Sequence, residues 1–270
     1  MKQHERIFPE ITMHMIEAGE VSGQLDQVFV RLAGQYEKDY KLNRSIRSAM
    51  LYPIIVCVIS IAVIFVLMVG VLPVFSDTLG SLNVEMPLIT KIVMGSSRFF
   101  VKWWWAIIGA IVGLVLFLVS YLRTYNGKRL ISSIALKLPV VSGLVQNITT
   151  ARLARTLGTL ISSGVLLIQA MQITQKVLGN VVISERISGV IDEIKMGKGL
   201  TQPLKNLRYF PPMLISMMRV GEESGNLDYS LEKSADFYDE EVETSIQRLT
   251  TLLQPLIILI LAGIVTVIVL

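Results

Sequence analysis

Residues 19–26 are Gly-Glu-Val-Ser-Gly-Gln-Leu-Asp, and residues 221–228 are Gly-Glu-Glu-Ser-Gly-Asn-Leu-Asp. Six of the eight positions are identical. Further identical pairs occur at the same spacing of 202 residues, without a gap: Phe8-Pro9 with Phe210-Pro211, Ala33 with Ala235, Tyr36 with Tyr238, and Pro53 with Pro255. A series of matches in one register indicates two copies of one unit. We therefore expect two direct repeats, each ending in a long helix that enters an apolar run at a proline.

Three stretches contain no Asp, Glu, Lys or Arg: 51–75, 103–122 and 249–270. A helix of about 20 apolar residues spans the hydrocarbon core of a bilayer. The alternative, three fully buried core helices, would need a very large domain. The sequence therefore predicts three transmembrane helices.

The composition excludes several classes of protein. Hydrophobic residues make up 52% of the 270 residues and charged residues 17%, below the roughly 25% of soluble domains. A disordered chain, a nucleic-acid-binding module and most soluble enzymes are thus disfavoured. One cysteine, Cys57, excludes an intramolecular disulfide framework, and two histidines leave few metal ligands.

Basic residues predict the orientation of the first two spans. One group precedes the first span and another follows the second. They are Lys38, Lys41, Arg44 and Arg47, and Arg123, Lys128, Arg129 and Lys137. Both flanks are therefore expected in the cytoplasm, where the first basic group would also bind anionic lipid. The third span should leave the cytoplasm as its repeat counterpart does. The predicted segments are 1–50 (cytoplasmic, end of the first repeat), 51–75 (span one), 76–102 (external loop), 103–122 (span two), 123–248 (cytoplasmic helical bundle, second repeat) and 249–270 (span three).

The pattern within 123–248 is helical throughout. Apolar residues recur at spacings of three and four, and glycine or proline separates the runs. Five helices are predicted. The first ends at 162–164, the second covers 168–178, the third covers 183–194 and a short fourth lies at 204–207. The fifth runs from Pro211-Pro212 to about Val220 and ends at Gly221. We expect an all-α fold.

The repeated motif predicts a turn between two helices. Gly19 would end one helix in a left-handed conformation, Ser22 or Asp26 would cap the next, and Glu20 would complement its dipole. A plain helical turn and a hinge or partner-binding site both fit this pattern. The candidate partner-binding or hinge residues are Gly19, Glu20, Ser22, Gly23, Leu25, Asp26, Gly221, Glu222, Glu223, Ser224, Gly225, Leu227 and Asp228.

The paired motifs, each preceded by Phe-Pro and followed by a long helix and an apolar run, resemble the inner-membrane platform proteins of type II secretion and type IV pilus assembly, the GspF/PilC family. Residues 151–165, Ala-Arg-Leu-Ala-Arg-Thr-Leu-Gly-Thr-Leu-Ile-Ser-Ser-Gly-Val, resemble the opening of that family's cytoplasmic repeat. Compared with the family, we expect this chain to lack the first part of copy one and a short C-terminal tail.

The resemblance implies a multi-pass protein of the bacterial inner membrane that acts as a non-catalytic coupling platform. The implied partners are a cytoplasmic secretion or assembly ATPase, pilin or pseudopilin subunits, other inner-membrane assembly components, membrane lipids and a second copy of the chain; nucleic acid is not expected. The acidic stretch 236–243 is either a solvated face or a surface for a basic partner.

No catalytic, cofactor or metal site is predicted. The chain lacks the G-x-x-x-x-G-K-[ST] pattern that cradles ATP phosphates. Glu222, Glu223 and Asp228 could bind a hard cation, but a solvated, capped turn is the favoured interpretation. The alternative function, a small polytopic transporter or channel component, is disfavoured because the spans contain no interior charge of the kind that an ion or proton pathway needs.

Overall fold

The computed structural model describes residues 9–71, 74, 95, 103, 105–106, 109, 113–114 and 116–269. These residues are predominantly helical and contain no strand, so the all-α prediction is confirmed for them. The helices are α1 (Glu10–Ser22), α2 (Leu25–Val66), α3 (Tyr125–Lys137), α4 (Pro139–Ser162), α5 (Leu167–Val177), α6 (Val181–Lys195), α7 (Thr201–Asn206), α8 (Pro212–Ser224) and α9 (Leu227–Val269). A π-helical segment, Leu67–Val71, follows α2.

Glycine, proline and asparagine set the helix boundaries after residue 124. Pro139 and Pro212 occupy first-turn positions of α4 and α8, where the missing N–H group costs no hydrogen bond. Gly164 (φ 85°) follows the end of α4, as the sequence predicts. Gly179 (φ 78°) follows α5, and the Asn180 side chain then caps α6 by accepting a hydrogen bond from Ile183 N at 3.1 Å.

The chain divides into two units, of which the first is a helical bundle. It contains the described residues up to Ile46 together with Tyr125–Ile246. One hydrophobic core joins these two parts of the chain. Copy one contributes Ile11, Met15, Val28 and Leu32, while α4 to α9 contribute residues such as Leu153, Leu157, Met171, Ile187, Leu214 and Leu231.

The second unit contains the described residues between Arg47 and Thr124 and those from Gln247 onwards. Many of its described apolar side chains are strongly exposed, for example Ile61 (67%) and Leu259 (73%). The helices that carry them, α2 and α9, are each long and apolar enough to cross a membrane. Pro53 and Pro255 lie inside these two helices.

A bent pair formed by α3 and α4 also passes the length and composition test for a span, with an angle of 113°. We assign α4 to the bundle instead, because Ala151, Leu153 and Leu157 on α4 are fully buried in the core of the first unit. Most of the predicted external loop, 76–102, and much of the predicted second span, 103–122, lie outside the described residues. The three-span arrangement therefore stays a prediction.

Candidate functional site

Both copies of the motif form the same helix–turn–helix geometry. α1 ends at Ser22 and is followed by Gly23 in the left-handed conformation (φ 71°). α8 ends at Ser224 and is followed by Gly225 with φ 73°. The prediction that Gly19 forms the C-cap is therefore wrong. The fifth motif position carries the positive φ, which glycine adopts at least cost.

The first motif glycine lies inside its helix, where it allows a close approach between helices. A Cβ atom at Gly19 would lie 2.7 Å from Val28 Cγ2, and one at Gly221 would lie 2.8 Å from Ser230 Cβ. Val28 and Ser230 are themselves related by the spacing of 202 residues. The prediction that α8 ends at Gly221 is wrong, since this glycine is needed for packing and the helix continues to Ser224.

The motif side chains divide between helix ends and solvent. Ser22 belongs to the end of α1 and Asp26 is the second residue of α2, so neither occupies the N-cap position predicted for the next helix. Asp26 and Asp228 lie in the first turns of α2 and α9, where a negative charge complements the helix dipole. Glu20 is exposed in the last turn of α1 and does not lie at the start of α2, contrary to the prediction.

The remaining motif residues differ in environment. Leu25 is 36% exposed, whereas Leu227 packs against the core. Glu223 is exposed.

Glu222 organises the loop before α7. Its Oε1 accepts a hydrogen bond from Leu200 N at 2.6 Å, and its Oε2 accepts one from Thr201 N at 3.1 Å. Desolvation alone would raise the pKa of Glu222, but hydrogen bonds from Thr201 and from the Leu200 backbone outweigh it and hold the pKa below its ordinary value. Both oxygens of the carboxylate thus serve the backbone of α7 and the residue before it.

A buried cation lies between the two long helices. Arg155 on α4 has a side chain only 5% exposed and pairs with Asp39 Oδ1 on α2 at 3.2 Å and with Asp239 on α9. Burial raises the pKa of Asp239, while the charge of Arg155 opposes that shift. A second pair, Lys38 with Asp236, joins α2 and α9 directly.

A cavity of about 290 Å³ lies beside this network. Arg155, Arg31 and Lys38 line it, and Asp228 is the motif residue that does so. The Nε atom of Arg155 is buried without a hydrogen-bond acceptor. The volume is large enough for several ordered water molecules, which such a polar cavity can hold.

Arg155, Asp39 and Asp239 are not among the site residues predicted from the sequence. One usable signal is the position of Arg155 within the apolar stripe of α4, between Ala151, Ala154 and Leu157, because a charge on a core face needs a partner. The carboxylates carry no such signal, since each lies on a helix rich in charged residues.

The structure also assigns internal partners to parts of the two predicted charged surfaces. Lys38 of the basic group pairs with Asp236, and Lys41 pairs with Glu37 at 2.6 Å. In the acidic stretch 236–243, Asp236 and Asp239 form internal ion pairs, whereas Glu240 and Glu243 are exposed.

A comparison with protein families identifies the family of this chain. The family model described as "Type II secretion system (T2SS), protein F" matches residues 1–73 and 153–270. The chain belongs to this protein F family. Each matched segment contains one copy of the motif and the long helix that follows it.

Named relatives of the protein F family align with almost the whole chain. The chain is 36% identical over 265 residues to "Type IV pilus assembly protein PilC" of Myxococcus xanthus and 38% identical over 265 residues to the protein of that name in Thermus thermophilus. It is 33% identical over 261 residues to "Type II secretion system protein F" of Xanthomonas campestris. These alignments cover 98%, 98% and 96% of the chain. They cover 64%, 65% and 64% of the relatives, so the chain spans less than two thirds of their length.

In this member of the protein F family, the site geometry is that of a helix-packing and ion-pair centre. Among the described residues, no three His, Cys, Asp or Glu side chains are grouped so that they could hold a metal ion. Glu222 instead binds backbone N–H groups, and the carboxylates of Asp39 and Asp239 bind Arg155.

Proposed function

We propose that the chain acts in the inner-membrane platform of a type IV pilus assembly or type II secretion machine. There it would couple a cytoplasmic ATPase to the assembly of pilin-like subunits. The observation that carries this proposal is the alignment of relatives named for these two machines with 96–98% of the chain. The names of the relatives given above do not favour the alternative, a transporter or channel.

The proposed membrane arrangement has three spans, with the N-terminus and the helical bundle in the cytoplasm. The apolar parts of α2 and α9 supply spans one and three, and residues 103–122 supply span two. Lysine and arginine before span one and after span two favour a cytoplasmic location for both flanks. The matching geometry of the two motifs supports a direct repeat.

The proposed mechanism is mechanical and non-catalytic. α2 has 42 residues and α9 has 43, and each helix contains both bundle residues and apolar residues. Arg155 and Lys38 join the bundle parts of these two helices through ion pairs. A force that an ATPase applies to the bundle would therefore act on both helices, and their apolar parts would transmit it to pilin-like subunits in the bilayer.

Charge reversal at the exposed acidic positions tests the proposed ATPase contact. Glu240→Lys with Glu243→Lys should reduce co-purification of the assembly ATPase encoded in the same genome, because the change reverses the charge of the proposed contact surface. The bundle should stay folded, because these two carboxylates are not part of the Arg155 network. Glu185→Lys with Asp192→Lys is the matched control elsewhere on the bundle. Membrane insertion should be normal for both double variants. Equal ATPase recovery with both would contradict the proposed contact surface.

A further inference from the structure

A groove of about 860 Å³ runs along α5 in the first unit. Residues from one face of α5 line it at spacings of three and four, including Ile168, Gln172, Ile173 and Lys176. Ile194 at the end of α6 and Lys198 in the following loop also line the groove.

The groove combines a buried apolar base with an exposed apolar rim. Ile173 and Ile194 are 3% and 7% exposed, whereas Leu166 and Ile168 are 77% and 38% exposed. Neighbouring apolar side chains left open to water are typical of a surface that binds a partner. α5 has 11 residues and is about 16 Å long, which matches about three turns of a docked helix.

The walls of this groove are held in place from both sides. Gln169 on α5 lies 3.1 Å from His14 Nδ1 on α1, within hydrogen-bond distance. On the other side, Glu222 binds the backbone at Leu200 and Thr201, directly after the lining residues 197–199. A preformed groove loses little conformational entropy when a ligand binds.

The ionisable residues that line the groove are basic. They are His14, Lys176 and Lys198, and no aspartate or glutamate is among the lining residues. Glu193, outside the lining, accepts a hydrogen bond from Lys198 at 2.8 Å. We propose that the groove binds an acidic amphipathic helix of a partner protein, with apolar side chains over Ile173 and Ile194 and carboxylates beside Lys176 and Lys198. This inference does not depend on the proposed platform function.

A titration with two synthetic helices tests the proposal. The full chain is placed in nanodiscs of zwitterionic lipid, and fluorescence anisotropy measures the binding of a labelled amphipathic peptide of about five turns with leucine on one face and glutamate beside it. The second peptide has lysine at every glutamate position. The glutamate peptide should bind about ten-fold more tightly than the lysine peptide, a difference of about 1.4 kcal/mol.

Paired variants locate the binding. Lys176→Glu with Lys198→Glu should make the lysine peptide bind more tightly than the glutamate peptide. Lys195→Glu with Lys205→Glu, outside the lining, should leave the glutamate peptide as the tighter binder. Leu166→Ser with Ile168→Ser should weaken binding of the glutamate peptide about ten-fold, whereas the exposed control pair Met213→Ser with Val220→Ser should not.

All variants are measured in the same lipid, so adsorption of the peptides to the bilayer cannot produce differences between variants. Circular dichroism checks that each variant is folded. Absence of binding, equal binding of both peptides, or equal effects of the control pairs would each overturn the proposal. The titration contains no ATPase or pilin, so its failure would leave the platform proposal intact.

Discussion

Gly221 sets the distance between α8 and α9. A Cβ atom at this position would lie 2.8 Å from Ser230 Cβ and 2.9 Å from the backbone Cα of Leu227. At Gly19, the equivalent Cβ would meet the side chain of Val28. Because backbone atoms move less readily than a side-chain methyl group, a Cβ atom is harder to accommodate at Gly221 than at Gly19.

We expect Gly221→Ala to destabilise the bundle by about 1–3 kcal/mol, because the added methyl group forces α8 and α9 apart. Thermal unfolding of the purified chain, followed by circular dichroism, measures the effect. Gly189→Ala is the control: Gly189 is an exposed residue of α6 with no atom within 4 Å of the added Cβ. There alanine should be neutral or stabilising by up to about 1 kcal/mol. Equal changes at both positions would contradict the packing role of Gly221.

The sequence correctly predicts a turn in each motif, but the prediction that the first motif glycine ends the helix is wrong. Gly19 and Gly23 both precede a helical run, and either one suits a C-cap by composition alone. The choice depends on Val28, which follows the turn and packs against Gly19. A contact between two helices is not encoded in the local pattern, so the assignment needed the three-dimensional structure.

The contacts of α4 make it the central element of the bundle. Arg155 of α4 binds both Asp39 of α2 and Asp239 of α9. A Cβ atom at Gly158, one turn along α4, would lie 3.1 Å from Leu231 Cβ, so α9 also approaches α4 closely there. One buried cation therefore neutralises carboxylates from both long helices.

We expect Arg155→Met to cost about 2–4 kcal/mol of bundle stability, because it removes the buried cation that pairs with two partly buried carboxylates. Adding Asp39→Asn and Asp239→Asn should recover most of this loss. Lys195→Met, which removes an exposed ion pair with Asp192, is the control and should cost less than about 1 kcal/mol. Chemical unfolding of the purified variants compares these losses.

The pH dependence of Arg155→Met gives a second measurement. Burial raises the pKa of Asp239, so protonation of this carboxyl group favours the folded state as the pH falls through its folded pKa. The destabilisation of Arg155→Met relative to the unmodified chain should therefore shrink on acidification. A loss that is constant with pH, or no recovery in the triple variant, would contradict the ion-pair role.

Helix boundaries in the bundle were more predictable than helix partners. Gly164, Gly179 and Pro212 mark breaks that local backbone chemistry imposes, and the structure places helix ends beside each of them. The pairing of α2 with α4 and α9 depends on residues more than a hundred positions apart, such as Asp39 and Arg155. No single-sequence periodicity contains that information.

At the scale of the whole molecule, the two motifs have the same place in the chain order: each is followed by a long helix. Each turn opens a long helix, α2 or α9, whose later residues are apolar and exposed. The bundle parts of both helices share one core. The proposed direct repeat, with both bundle parts on one side of a membrane, would require an even number of crossings between them. Span one and the proposed span at 103–122 would supply these two crossings.

Cysteine accessibility tests this topology. In a Cys57→Ser background, Val21→Cys and Met196→Cys, both strongly exposed positions of the bundle, should react with a membrane-impermeant maleimide only after the cells are opened. Ser81→Cys, in the predicted external loop, should react in intact cells or spheroplasts. The reason is that the proposed direct repeat would put both bundle positions on one side of the bilayer, and the basic flanks favour the cytoplasm for that side. Labelling of Val21→Cys and Met196→Cys on opposite sides would refute the direct-repeat arrangement, and labelling of both from outside would reverse the proposed orientation.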